Sequence, residues 1–248
     1  MSPRSSFMAA GWILFFLVAS NVPFALLAAN FGYDDVLREP AAVVLTRFHE
    51  GGESLVFTWL AFALSAAAFM PVVMALESSI RPARQPGGLS LAAWFGLTSA
   101  LIQMIALLRW VFVVPVLAAQ IASPDTTAAG REAAVMAFQV QHQFAGVLLG
   151  EFVGQCLLVC WTVGISRSML AHGNVARGLG IAGLLTVPLW LLGFTELLHT
   201  VMPAIPSVEA APIAFSLWGL WLLMLAIYLF AAGVRGLRAA AAASPAGA

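Results

Sequence analysis

Six long apolar runs constrain the fold of this chain more than any other feature. A helix that crosses a membrane needs about 20 mostly apolar residues, because each residue advances about 1.5 Å through about 30 Å of hydrocarbon. The runs lack the strict alternation of barrel strands, so they predict helices. The predicted spans are Phe7–Ala29, Ser54–Leu76, Leu89–Ala118, Gln143–Ile165, Gly178–His199 and Ile213–Val234. The sequence therefore predicts an all-α, polytopic membrane protein built as a six-helix bundle.

The composition excludes most other classes of protein. Only 9% of the residues are charged and 62% are hydrophobic, whereas a soluble domain is roughly a quarter charged. A soluble globular protein, a disordered chain and a disulfide scaffold are therefore excluded. No basic patch could follow the phosphates of a nucleic acid. The chain has no lysine, which excludes a retinal Schiff base, a pyridoxal enzyme and a Walker loop. The partner that the composition does predict is the lipid bilayer.

The connections between the spans differ in charge on the two sides of the membrane. Seven arginines and one acidic residue flank one side, whereas three arginines and eight acidic residues flank the other. Because positive residues concentrate in cytoplasmic loops, both termini are predicted to be cytoplasmic. The predicted location is a bacterial cytoplasmic (inner) membrane.

The outer connections are the longer ones, and turn residues divide them. The stretch Val36–His49 is predicted to form a short helix on the membrane, and the pair Gly51-Gly52 to break the chain before the second span. The run Ser123-Pro124-Asp125 predicts a helix start that leads directly into the fourth span. Residues 1–238 are expected to form one transmembrane domain, followed by a flexible, alanine-rich tail at 239–248.

Three charged residues remain within or at the edge of the spans: Arg109, Glu151 and Glu196. Charges at membrane depth are rare and indicate function by default. Glu151 lies about nine residues into the fourth span. It is either a buried functional residue that is protonated, pairs with Arg109 or ligates another group, or a neutral residue that holds helices together through a hydrogen bond to Gln103 or a backbone carbonyl. Arg109 is either an interfacial anchor beside Trp110 or faces the bundle and pairs with Glu151 or Glu196.

Three of the four histidines fall at predicted outer helix ends, namely His49, His142 and His199. Glu196 precedes His199 by three residues, so the two share a helix face. A set made of His49, His142, Glu196 and His199 has the ligand types of a Zn, Fe or Cu centre. His142 and His199 could instead ligate a b-type haem, and the alternative to both is that these are ordinary interfacial histidines.

Three glycines in the fourth span recur every fourth residue, at Gly146, Gly150 and Gly154. Such a stripe of small residues permits close approach of a neighbouring helix. The fourth span is therefore predicted to be central.

Three stretches carry a resemblance to a known family: Arg47–Val56 (RFHEGGESLV), Leu108–Pro115 (LRWVFVVP) and His142–Glu151 (HQFAGVLLGE). Together they resemble the bacterial membrane family labelled domain of unknown function 4386. The resemblance implies six helices and a bacterial plasma membrane, and it implies no activity. The last two stretches contain residues that the depth argument had already selected.

Three functions fit these observations. The first is binding or sensing of a small ligand or cofactor in an outward-facing polar pocket formed by Arg109, His142, Glu151, Glu196 and His199. The second is a structural or accessory subunit of a larger membrane complex, in which polar residues only hold helices together. The third is a membrane enzyme, or a haem or metal protein, that uses His142 and His199.

Overall fold

The structure is a computed structural model that describes residues 2–33, 35–80, 88–172, 175 and 177–243. Every regular element in these ranges is helical. Six stretches are long and apolar enough to cross a membrane. The predicted all-α fold with six spans is therefore confirmed, and the chain is a multi-pass membrane protein.

The six spans are built from ten α-helices and one π-helical segment within the described ranges. Span 1 is α1 (Pro3–Phe31), span 2 is α2 (Ala41–Ala67) with α3 (Phe69–Ile80), and span 3 is α4 (Leu91–Leu107), α5 (Arg109–Phe112) and α6 (Val114–Ala122). Span 4 is α7 (Ala128–Gln141), the π segment (His142–Val153) and α8 (Gly154–His172). Span 5 is α9 (Arg177–His199) and span 6 is α10 (Ala211–Ala243).

The helices that contain the second, fourth and sixth spans extend beyond the predicted spans, and the fourth begins close to the start predicted at Ser123. The fourth begins at Ala128, because the hydroxyl of Thr127 accepts a hydrogen bond from the Gly130 amide at 3.1 Å and caps the helix. Glu151 therefore lies much deeper in this helix than nine residues. The sixth continues to Ala243. Residues 244–248 lie outside the described part.

The predicted break before the second span is confirmed at Gly52, whose φ of 57° and ψ of −154° are not helical. Only glycine adopts such angles without strain. The predicted helix Val36–His49 is corrected: a 3-10 turn covers Asp35–Arg38 and α2 begins at Ala41. Pro40 explains the later start, because the residue before a proline is pushed out of helical conformation.

Two prolines coincide with interruptions inside the spans. Pro115 has no amide hydrogen, so it cannot bond to the carbonyl of Val111, and span 3 is interrupted at Val113. Pro71 follows the interruption of span 2 at Ala68 in the same way. These interruptions divide spans 2 and 3 into shorter helices.

The chain divides into two compact units. Unit 1 consists of Met1–Leu17, Ala68–Ser99 and Gln155–Ala248, and unit 2 of Val18–Ala67 and Ala100–Gly154. In unit 1, Trp218 donates to the hydroxyl of Thr162 at 3.0 Å and Trp221 to the carbonyl of Leu179 at 2.8 Å, whereas Nε1 of Trp190 has no hydrogen-bond partner among the described residues. Unit 2 contains the predicted outer halves of the first four spans.

Candidate functional site

The core of unit 2 is built around two stacked tryptophans. The rings of Trp59 and Trp110 lie 4.5 Å apart between centroids, with planes 8° from parallel, and both side chains are fully buried. Aromatic rings from the end of α1, from the connection after it, from α2 and from α7 contact this pair at their edges or faces. The resulting aromatic cluster consists of Phe31, Tyr33, Phe48, Trp59, Trp110 and Phe138.

Arg109 lies against this cluster and is only 7% exposed. Helix α4 ends at Leu107, so its last carbonyls lack partners within the helix. The Nη1 atom of Arg109 donates to one of them, the carbonyl of Ala106, at 2.7 Å. The guanidinium carbon lies 5.4 Å from the ring centroid of Trp110. This burial does not fit an interfacial anchor and agrees with the alternative in which Arg109 faces other spans.

The glycine stripe of span 4 packs against the segment that carries Arg109. A methyl group added at any of the three glycines would lie between 2.6 and 3.0 Å from a side-chain atom of span 3. The facing pairs are Gly146 with Arg109, Gly150 with Ala106, and Gly154 with Gln103. The predicted close approach is confirmed, and it brings the guanidinium group onto the backbone of the π segment.

His142 opens the π segment and meets Arg109 above Gly146. Its ring stacks on that of Phe138, with centroids 5.9 Å apart and planes 13° from parallel. A methyl group at Gly146 would lie 3.4 Å from Nδ1 of His142 and 2.6 Å from Nη2 of Arg109. The absence of a side chain at this glycine is therefore what allows the imidazole and the guanidinium to approach one point.

Glu151 belongs to the same π segment, and a negative charge on it would stabilise the guanidinium of Arg109. A guanidinium group that leaves water needs such a partner, because an uncompensated buried charge is strongly destabilising. The interaction agrees with the pairing of Arg109 and Glu151 that the sequence allowed.

Four buried nitrogen atoms of unit 2 have no hydrogen-bond partner among the described residues. They are Nε1 of Trp59, Nε of Arg109, Nε1 of Trp110 and Nδ1 of His142, and we call these four residues the donor cluster. Each buried, unsatisfied polar group costs about 1–3 kcal/mol. The indole and guanidinium nitrogens can only donate hydrogen bonds, while the imidazole nitrogen donates or accepts according to its tautomer. The arrangement is suited to binding hydrogen-bond acceptors.

The remaining predicted site residues lie elsewhere. Glu196 and His199 belong to α9 in unit 1, where Nδ1 of His199 lies 2.7 Å from the carbonyl oxygen of Ile205. His49 is exposed on α2. Within the part of the chain that the structure describes, no group of three or more His, Cys, Asp or Glu side chains is placed to hold a metal ion. The metal set gains no support from this geometry, and haem ligation by His142 and His199 stays a prediction.

The sequence did not indicate the role of the two indoles. Trp110 had been interpreted only as a possible interfacial neighbour of Arg109, and nothing in the pattern around Trp59 separates it from the other apolar residues of its span. The glycine stripe was the one sequence feature that indicated where the site lies. The residues of span 3 that face it recur every third position and include Arg109.

The fold and the site together define a class: a six-span membrane protein with an arginine and a histidine brought together beside a buried aromatic core. The family model described as Domain of unknown function (DUF4386) matches residues 8–233, and the chain belongs to this family. The predicted family is thereby confirmed. Comparison with curated proteins and with solved structures gave no match.

Proposed function

We propose that this protein is a binding protein of the bacterial cytoplasmic membrane that holds a small molecule at the donor cluster. The observation that carries the proposal is the set of four buried nitrogens without hydrogen-bond partners among the described residues. Their side chains are contiguous, because Trp59 stacks on Trp110, Arg109 lies over Trp110, and Arg109 meets His142 above Gly146. A bound molecule with acceptor oxygens would satisfy several of these donors at once.

The conformation of span 4 supports the proposal. Residues His142–Val153 form twelve consecutive residues of π-helix. This geometry is rare, usually confined to a single turn, and concentrated at functional sites. Here it carries three of the residues that meet around the guanidinium: His142, Gly146 and Glu151.

The distribution of charge supports an outer position for the site. Unit 2 includes the longer, acidic connections, and the arginine-rich connections belong to unit 1. By the positive-inside rule, unit 2 faces away from the cytoplasm. A molecule would therefore reach the donor cluster from the outer leaflet or from the outer side.

Native mass spectrometry of the purified protein in lipid nanodiscs tests the proposal. We expect an additional bound mass on the wild type that is lost from Arg109→Met, which removes the guanidinium at similar side-chain length. The matched control is Arg131→Met, because Arg131 is exposed on α7. A wild type without any bound mass, or an equal bound mass on both variants, would contradict the proposal.

The other two functions predicted from the sequence would give different experimental results. A haem or metal protein requires a visible absorption band or a stoichiometric metal, which an absorption spectrum and elemental analysis of the same preparation measure. An accessory subunit requires that Arg109→Met alter assembly and leave the small-molecule content unchanged. No contact among the described residues favours either of these functions.

A further inference from the structure

We infer that the ligand of the donor cluster is a neutral, lipid-soluble ring compound with carbonyl oxygens, of which quinones are the chemical class. The inference rests on the proposed function and specifies the ligand of that same site. Four features of unit 2 carry it: the balance of charge, the direction of the hydrogen bonds, the aromatic surroundings and the apolar exterior.

The balance of charge favours a neutral ligand. The guanidinium of Arg109 lies against Gly146 of the π segment, and Glu151 of the same segment supplies a carboxylate to balance its positive charge. An anion brought to the same guanidinium would lie close to that carboxylate and be repelled. It would also have to lose its hydration inside the spans, where unpaired charges are costly.

The direction of the hydrogen bonds requires acceptor oxygens on the ligand. The unpartnered nitrogens of Trp59, Arg109 and Trp110 can only donate. A cationic amine has no acceptor to offer them, and a hydrocarbon would leave all three unsatisfied. Carbonyl oxygens at two edges of one ring would satisfy donors that come from spans 2 and 3.

The aromatic surroundings favour a flat ring. Trp59 and Trp110 are themselves stacked, and Phe48 stacks on Trp110 with planes 25° from parallel and centroids 5.7 Å apart. Flat rings pack in this offset geometry. Phe48 and Trp59 lie on opposite sides of the break at Gly52, so one non-helical residue joins the two walls of the cluster.

The exterior of the same segments is apolar, which suits a ligand that arrives from the bilayer. Phe112 and Val116 of span 3 are 69% and 65% exposed, and Phe144 of the π segment is 54% exposed. Phe112 shares α5 with Arg109, Phe144 shares the π segment with His142, and Val116 lies on the next helix of span 3, α6. A lipid-soluble molecule can therefore reach the segments that hold the donor cluster without crossing water.

Microscale thermophoresis of the protein in nanodiscs tests the inference by measuring the binding of decylubiquinone and of two comparison probes. The first is decylbenzene, which has a ring and a tail without carbonyls, and the second is the anion 2-naphthoate. We expect saturable binding of decylubiquinone only. Arg109→Met and Trp110→Phe should each weaken it about tenfold, the effect of one lost hydrogen bond, while Arg131→Met and Trp218→Phe leave it unchanged.

Any other outcome overturns the inference, and the three outcomes below can be told apart. Arg109-dependent binding of 2-naphthoate without binding of decylubiquinone would show that the ligand is an anion, and the proposed function would stand. Equal binding of decylubiquinone to all variants would indicate partition into lipid. Binding of none of the probes would exclude a quinone, and the bound mass found by native mass spectrometry would then decide separately whether the proposed function survives.

Discussion

Nη2 of Arg109 and Nδ1 of His142 approach the same point, the position that a methyl group on Gly146 would occupy. Nη2 lies 2.6 Å from this point and Nδ1 lies 3.4 Å from it. The two residues are 33 positions apart in the sequence and belong to different spans. Their approach depends on a glycine in the π segment and on the end of α4 at Leu107, which together set the guanidinium against the backbone of span 4.

Replacing Gly146 by alanine is expected to separate these two groups. The added methyl would force Arg109 to move, and overpacking of this kind costs about 1–3 kcal/mol. Reversible unfolding by SDS in mixed micelles measures the loss. Gly11→Ala is the matched control, because a methyl there meets no atom within 4 Å, and alanine in a helix interior is neutral or stabilising. Equal stability of the two variants would contradict the described packing.

Replacing Gly52 by alanine is expected to destabilise the protein by about 1–3 kcal/mol, because an L-residue is strained at positive φ. The same unfolding measurement applies, with Gly178→Ala as control. Gly178 is exposed near the start of α9, where an added methyl meets nothing. If Gly52→Ala matched the control, the break between Phe48 and Trp59 would not depend on a left-handed residue.

The indole of Trp110 and that of Trp218 are expected to respond differently to replacement by phenylalanine in ligand-free protein. Both variants lose the same volume from a buried position. Trp218→Phe additionally loses the hydrogen bond to Thr162, whereas Trp110→Phe removes an indole N–H without a partner. Trp218→Phe should therefore be less stable by about 1–2 kcal/mol. The reverse order would mean that the Trp110 indole is already satisfied.

Arg109 and Glu151 are expected to be energetically coupled. Removing one partner of a buried charge pair costs about 3–5 kcal/mol, because the other charge is left behind. Arg109→Met with Glu151→Gln should therefore cost at least about 1 kcal/mol less than the sum of the single variants. Arg131→Met with Glu151→Gln provides the control cycle, which should be additive within about 0.5 kcal/mol. Additivity in both cycles would exclude a direct interaction.

Much of the fold could be predicted from the sequence, because the bilayer imposes length and polarity on each span separately. The predicted spans lie inside the observed helices except Leu89–Ala118, which starts two residues before α4. The break at Gly52 was also predictable, since glycine pairs interrupt helices through their own conformational freedom. The start of α7 differed by a few residues because Thr127 caps the helix in preference to Ser123.

The site itself was only partly predictable. Depth in the membrane selected Arg109, His142 and Glu151 from the sequence, and unit 2 contains all three. Glu196 and His199 were selected by the same reasoning and belong to unit 1. The indoles of Trp59 and Trp110 were missed, because an unsatisfied N–H is a property of the surroundings and leaves no pattern in the residues that carry it.

The sequence by itself determined that this protein is helical, that it crosses the membrane six times and where its chain can bend. These properties follow from local polarity and from the conformational freedom of single residues. Tertiary structure alone decided that Arg109 faces inward, that it meets His142 above Gly146 and that His142–Val153 is π-helical. Those outcomes depend on which helix packs against which glycine. An apolar sequence offers many equivalent contacts to its helices, and only their packing selects among them.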